Sequence, residues 1–266
     1  MLQIYLRLAN IVYSRNFIDT VRNSGIRITR RNKFLRNSIV INHGNSKPIS
    51  FGRKVNRGYI LNLPEYIQYS SNNLKTLKLL KEYFPDTCLK PENVDFKPII
   101  VKPLHGHHGY GIQVFYNKED LYEFLKHTNE KYIIQRFIPI KHEFRFNVLG
   151  DTIFQVSHKE RLYDENNNPV YTDKGGMVFR YRSLGSNAKI SDKFWKYVYS
   201  IVDDINSKLN YKLADYCIDV IKGTDKQYYL SEINSSYGIG TFTINKLLET
   251  INDKFRLGEL EIYRVV

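Results

Sequence analysis

Two short apolar runs constrain the fold of this 266-residue chain more than any other feature: Ala214 to Ile221 and Tyr228 to Ile233, separated by the turn-like Lys222-Gly223-Thr224-Asp225-Lys226. They read as a hairpin. On a strand alternate side chains share a face, so Glu232 and Asn234 point the same way, and Asp219 meets them from the neighbouring strand. Two carboxylates and a carboxamide above one spot are hard oxygen donors. Such a set suits Mg²⁺, which keeps some waters and takes its remaining ligands from substrate phosphates. The hairpin therefore predicts phosphate chemistry elsewhere in the chain.

Upstream, Pro98-Ile99-Ile100-Val101-Lys102-Pro103 reads as a buried strand running into Leu104-His105-Gly106-His107-His108-Gly109-Tyr110-Gly111-Ile112. Glycines let backbone N–H groups approach phosphate oxygens closely, and Lys102 adds a point charge at the base of the loop. No Gly-Lys-Ser/Thr follows, so this is not a Walker A loop, and the glycine order is not the dinucleotide fingerprint. Gln113 to Tyr116 reads as the returning strand of a hairpin. Taken alone, a plain tight turn is the simpler reading of these glycines.

Taken with the distal hairpin, the order of parts resembles the ATP-grasp superfamily. Its members carry a strand lysine before a mobile glycine-rich loop, a hinge segment that contacts adenine, an acid for the ribose, and a metal set of Asp, Glu and Asn. This chain presents Val101-Lys102-Pro103, the loop to Gly111, Tyr132-Ile133-Ile134-Gln135-Arg136-Phe137-Ile138-Pro139, Glu143-Phe144-Arg145, and then Asp219, Glu232 and Asn234. The resemblance spans about residues 70 to 255. Within the superfamily it is closest to the glutamate-ligase-like and spore-coat-type proteins, including reduced, phage-type members. Ile41-Asn42-His43-Gly44-Asn45-Ser46 and Leu61-Asn62-Leu63-Pro64-Glu65 are similar to the short N-terminal motifs of those reduced members.

The resemblance implies an α+β fold of the ATP-grasp type, with two α+β lobes clasping ATP behind a short α/β N-terminal region. Residues 1–70 form the leading region, 71–140 the lid lobe and 141–266 the C-terminal lobe with the metal site. It also implies roles. Lys75, with Lys78 as the other candidate in the helix expected over Leu74 to Phe84, Lys102, Gly106, His107, His108, Gly109 and Gly111 surround the phosphates. Gln135, Arg136, Phe137 and Ile138 line the adenine, and Glu143 takes the ribose. Members often carry an acid where this chain has Arg136. Arg145, Lys159 and Arg161 neutralise the transferred phosphate, and Asp219, Glu232 and Asn234 hold Mg²⁺. Arg180 and Arg182 are candidates for gripping a substrate carboxylate, and the small-residue segment after Asn234 shapes an acceptor pocket. For each cation the ordinary alternative is a solvated face or a salt bridge.

The activity implied is ATP-dependent joining of a carboxylate to an amine through an acyl phosphate. Two other readings stand beside it: a kinase-like or non-catalytic ATP-binding protein, and a nucleic-acid-binding protein that uses its N-terminal region. The charge is what keeps the last one open. Residues 1–60 hold twelve Lys or Arg against the single acid Asp19, a net of +11 out of +13 for the chain. Such a surplus fits an acidic peptide, an anionic substrate or nucleic acid, or only a solvated basic face.

Cys88 and Cys217 lie far apart without metal-ligand spacing, which predicts a reducing, cytoplasmic setting rather than a disulfide framework. The first residues lack the order of a signal peptide, and no apolar run approaches the length of a membrane span. The histidines show no zinc spacing.

Overall fold

The computed structural model describes residues 3–8, 15–29, 38–44, 58–104, 110–165, 179–184, 190–235, 237 and 241–265. Strand β1 (Gln3–Leu8), helix α1 (Arg15–Asn23), and strands β2 (Arg27–Thr29), β3 (Ser38–His43) and β4 (Gly58–Leu61) open the chain. β1 pairs in parallel with β2 and β3, and β3 in parallel with β4. Parallel strands are covered on both faces, and β3 is buried at every position. Gly25 ends α1 at φ +81°, a left-handed conformation that glycine adopts without steric cost. Leu6, Val21, Ile39 and Ile41 form a core with Ile244, Leu247 and Ile251 of the last helix, Thr241–Arg256.

The final strand, Arg264–Val265, pairs antiparallel with β4 and so closes this first sheet. The block drawn from sequence as 141–266 therefore ends as the edge strand of the leading sheet. Two residues carry no periodicity, which is why this pairing is invisible in the sequence.

The lid lobe follows with α2 (Gln68–Ser71), α3 (Asn73–Leu80), β5 (Thr87–Cys88), β6 (Ile99–Pro103), β7 (Gln113–Phe115), α4 (Lys118–Lys126) and β8 (Tyr132–Arg136). The expected helix to Phe84 stops at Leu80 and continues as the 3-10 turn Lys81–Tyr83. Asn72 and Asn117 cap α3 and α4 with their side-chain oxygens, accepting from Leu74 N at 3.0 Å and Asp120 N at 2.8 Å. The sheet order is β5-β8-β6-β7, with antiparallel pairing throughout. Ile99, Val101 and Ile134 pack with Leu121 of α4 on one face. The alternation of strands then puts Ile100, Lys102, Ile133 and Gln135 on the other.

The third sheet contains β9 (Ile140–Leu149), β10 (Thr152–Arg161), β11 (Phe179–Ser183), β12 (Asp215–Gly223) and β13 (Tyr228–Asn234), in the order β11-β10-β9-β12-β13. One face carries Phe146, Val148, Ile218, Val220 and Leu230 against α5 (Asp192–Leu209), whose Phe194, Val198, Ile201, Val202 and Ile205 form the matching stripe. The opposite face is polar and faces the site. No helix among the described residues is long and apolar enough to cross a membrane.

A buried polar seam joins the first and third sheets. Asn62, at φ +68°, accepts from Ala214 N and Asp215 N at 2.7 Å each and donates to Asp215 O at 2.5 Å. Asn42 donates to Asn62 O at 2.9 Å and accepts from Arg7 at 2.9 Å. Tyr237 Oη donates to Asp215 Oδ1 at 2.5 Å, and His43 Nε2 donates to Tyr237 O at 3.0 Å. Burial pushes the Asp215 carboxyl up from its ordinary 3.8 to about 7, with the Tyr237 hydrogen bond pulling the other way.

A buried acid raised in this way stays neutral in the fold and ionises first in the unfolded chain. Stability is full below pH about 4 and falls as pH rises toward about 7. At about 1.4 kcal/mol per pKa unit the loss reaches roughly 4 kcal/mol. Asp215→Asn is expected to remove that slope, so the variant melts higher than the parent at pH 8 and close to it at pH 4. Parallel melting curves with no change in slope would contradict this.

Candidate active site

The polar face of the third sheet is built in rows by strand register. Ser157 of β10 stands opposite Arg145 of β9, Arg145 opposite Asp219 of β12, and Asp219 opposite Glu232 of β13. The next row is Gln155, Asn147, Cys217 and Asn234. A bulge between Asp219 and Val220 absorbs the extra residue Ser231 without moving Glu232 or Asn234 off this face.

Asp219 has no exposure at all, and three charge-assisted hydrogen bonds meet it. Arg145 donates through Nε to Oδ1 and through a terminal nitrogen to Oδ2, both at 2.7 Å. Lys159 Nζ donates to the same Oδ2 at 2.8 Å and to Glu143 Oε1 at 2.7 Å. Burial raises the Asp219 carboxyl, but Arg145 and Lys159 outweigh it and hold the group well below the usual carboxylate range. Burial raises Glu143, only partly offset by Lys159.

Glu232 differs from both. Its side chain is 44% exposed, and Arg145 comes no closer than 3.6 Å. From the lid, Lys102 is lowered by desolvation and drawn back up by Glu232 and Glu143, which places it within electrostatic reach of the same face. Lys102 of the lid thus bears electrostatically on the face that holds Glu143, Arg145, Lys159, Asp219 and Glu232.

The donors on this face fit a divalent cation. Glu232 presents an accessible carboxylate, and Asn234, also a hard oxygen donor, stands two positions along on the same side. Among the described residues no group of three or more His, Cys, Asp or Glu could hold a metal. The set available is therefore two acids and one carboxamide.

The remaining predicted residues divide. Arg161 stands in register with Phe179 on the same face as Lys159. Gly111, at φ +69°, leads out of the loop so close to β6 that an added Cβ would lie 2.8 Å from Pro103 Cγ, which explains a glycine there. Gly106, His107, His108 and Gly109 lie outside the described residues. Residues 166–178, 236 and 238–240, and residues 30–37 and 45–57 of the basic leading segment, lie outside them as well. Lys75 carries its ammonium to Gln68 of α2 rather than to the cluster.

In the hinge, Arg136 pairs with Asp86 at 3.1 Å and donates to Tyr229 Oη at 3.3 Å. Its N–H and that of Phe137 donate to Asp86 O and Pro98 O, both at 2.8 Å, so neither is left for a base edge. Ile138 is buried at the end of that segment. Gln135 lies on the lid face shared with Lys102. Its Nε2 donates to Thr87 Oγ1 at 2.9 Å, and its buried Oε1 has no partner among the described residues.

Arg180 and Arg182 require a correction. They face away from Asp219, because Arg182 stands opposite His158 and Arg180 opposite Glu160, and Arg182 is paired with Glu160 at 3.2 Å. The residues of β11 that do face the site are Phe179 and Tyr181. Lys159 lies 4.5 Å from the Phe179 ring centre and the Arg145 guanidinium 4.6 Å from that of Tyr181. In Phe179-Arg180-Tyr181-Arg182 the alternation is plain, but either half can face the site, and the sequence carries no signal for which.

The sequence of residues 70–237 matches the ATP-grasp domain family. By sequence, no curated protein matches the chain. Among solved structures, D-alanine–D-alanine ligase from Bacillus anthracis complexed with ATP superposes with a TM-score of 0.57 at 12% identity, over 94% of this chain and 96% of that one. A RimK domain ATP-grasp protein from Sphaerobacter thermophilus gives 0.56 at 12% identity, over 94% and 98%. N5-carboxyaminoimidazole synthetase from Staphylococcus aureus complexed with ADP gives 0.56 at 15% identity, over 90% and 71%. These identities establish a shared fold, and the domain match extends over more than half of the sequence. The chain is a member of the ATP-grasp family.

Proposed function

We propose that this protein is an ADP-forming ligase that joins a carboxylate to an amine through an acyl phosphate, related to the glutamate-ligase-like and spore-coat-type members of its family. The observation that carries this reading is the convergence of Lys102 from the lid with Arg145, Lys159, Asp219 and Glu232 from the third sheet. Cations from two lobes facing acids on one sheet suit a phosphate chain held between them.

The substrates are ATP, a carboxylic acid and an amine. Arg145 and Lys159 meet the γ-phosphate, Arg145 by its planar fork and Lys159 as a point charge. They neutralise charge as the substrate carboxylate attacks phosphorus and ADP leaves. Phe179 and Tyr181 cover these cations on one side, keeping water from them and strengthening their field. The amine then displaces phosphate from the acyl phosphate, forming the amide. The set Asp219, Glu232 and Asn234 would hold Mg²⁺, which would supply neutralising charge to the phosphates. No nucleophilic side chain is needed. Cys88 and Cys217 are free thiols, as suits a reducing compartment.

Gln135 selects the base. The Thr87 hydroxyl spends its proton on Pro85 O at 2.6 Å, so it meets Gln135 only as an acceptor, and the amide must turn Nε2 toward it. Oε1 is left as a buried acceptor awaiting a donor. The exocyclic amine of adenine supplies one, whereas guanine would bring a carbonyl to the same place. ADP is expected to bind at least tenfold more tightly than GDP, and Gln135→Leu to erase most of that preference, at about 1–3 kcal/mol for an unmatched buried acceptor. Calorimetric titration of both nucleotides checks this, and an unchanged ratio in the variant would remove Gln135 from base recognition.

The reaction class is tested by following ADP release with pooled carboxylic acids and amines, then weighing the product. A mass equal to acid plus amine minus water is expected. A phosphorylated product would keep the nucleotide site and replace the ligase with a kinase.

A further inference from the structure

We infer that β11 is a docking edge for an acidic polypeptide segment, which pairs with it as an added strand and sets alternate carboxylates against Arg180 and Arg182. Docking there needs no bound nucleotide, and it occupies the two arginines that turn away from Asp219. β11 is the outermost strand of the third sheet, and among the described residues only β10 pairs with it. Its other edge presents a row of backbone N–H and C=O groups with no described strand beside them. Another extended backbone matches such a row, which favours a polypeptide over a nucleic acid. Arg180, Tyr181, Arg182 and Ser183 are exposed and Phe179 is half-buried, so the edge is open to a partner.

The charge on this edge selects the partner. Arg180 and Arg182 share one face two residues apart, about 7 Å, which is the interval at which an extended partner repeats its own side chains. Arg180 has no ion-pair partner among the described residues, and Arg182 shares Glu160 with His158, at 3.2 and 3.0 Å. Further in on the same face, His158 stands opposite Arg182 and Lys222 opposite His142, whose ring centre lies 5.5 Å from that of His158. Arg180, Arg182, His158, His142 and Lys222 thus outnumber the acid Glu160, and a field of that sign draws acidic segments and repels basic ones. Charged side chains also keep a sheet edge from aggregating, but that role needs no exposed aromatic. Here Tyr181, 43% exposed, projects on the opposite face over Arg145, so an added strand would cover ring surface at the rim of the site as well.

Fluorescence anisotropy of a labelled octapeptide that alternates glutamate and threonine tests this on the full chain, without nucleotide. The unaltered protein is expected to bind it saturably, and at least tenfold more tightly than a peptide of the same composition with its glutamates in one block, which divides the charge between both faces. Of two alternating peptides methylated on every second backbone nitrogen, in opposite phase, the one whose methyl groups face β11 is expected to lose at least tenfold. Arg180→Glu combined with Arg182→Glu changes exposed positions on the face away from Asp219, and is expected to weaken the alternating peptide at least tenfold with the melting midpoint near that of the parent. If the reversed charges unfold the protein, Arg180→Gln combined with Arg182→Gln is expected to weaken it at least threefold. No saturable binding by the unaltered protein, equal affinity for the blocked peptide, indifference to methylation in both phases, or unchanged affinity in a folded double variant overturns the inference. Tighter binding of a single-stranded oligonucleotide, lost in the same variant, overturns it too and makes the strip a nucleic-acid surface. Because no arm contains nucleotide, failure of the ligase reading leaves these outcomes as they are.

Discussion

Glu232→Gln is expected to lower ADP-forming turnover by at least 100-fold while leaving the unfolding midpoint nearly unchanged. Both halves follow from position. Glu232 is partly exposed and meets Arg145 only at 3.6 Å, and Arg145 remains bidentate to Asp219 when the Glu232 charge is gone. An exposed, loosely paired carboxylate contributes about 0–1 kcal/mol to stability. In the proposed reaction the same carboxylate faces the phosphates, where charge stabilisation in the transition state is worth several kcal/mol. Coupled measurement of ADP release together with urea unfolding separates the two effects. An unchanged rate would place Glu232 outside the reacting centre, and a collapsed fold would make it structural.

Asp219→Ala is expected to act the other way round, costing about 3–5 kcal/mol of stability because it leaves buried cations uncompensated. Arg145 is 8% exposed and loses both of its strong hydrogen bonds at once, while Lys159 keeps only Glu143. For a domain stable by about 5–15 kcal/mol this is a large share. The pH dependence carries a sign. A carboxyl held low in the fold contributes stability that is present above pH about 4 and is lost as pH falls through the depressed value. The parent is therefore expected to shed this contribution on acidification, and the variant to have none to shed. Asp215 has the opposite sign, raised by burial, so the two acids tilt the profile from opposite ends. Chemical denaturation at pH 7 and pH 3 checks the difference; a loss of under 1 kcal/mol at pH 7 would mean that the cations find other partners.

What was legible in the sequence is what period two and period 3.6 encode. The alternation in β12 and β13 is enough to put Asp219, Glu232 and Asn234 on one face, whereas the place of Arg145 opposite Asp219 comes from the register of β9. On α5 the apolar stripe Phe194, Val198, Ile201, Val202 and Ile205 carries period 3.6 within Asp192–Leu209. The choice between equivalent faces was not legible. Arg180 and Arg182 looked like the functional half of β11 because they are charged, yet the neighbouring pattern in β10 turns Phe179 and Tyr181 toward the site.

Hydrogen-bond commitments were also beyond the sequence. Lys75 goes to Gln68, and two hinge N–H groups are spent inside the protein. The return of Arg264–Val265 to the first sheet depends on contacts far apart in the chain.

The central claim is that the lid and the third sheet hold a nucleotide's phosphates between Lys102 and the Arg145–Asp219–Glu232 row. Calorimetric titration of a slowly hydrolysed ATP analogue with Mg²⁺, into the unaltered protein and into Lys102→Ala, tests it most directly. The account requires one saturable site in the first and at least tenfold weaker binding in the second. No heat in the first, or equal affinity in both, would contradict it.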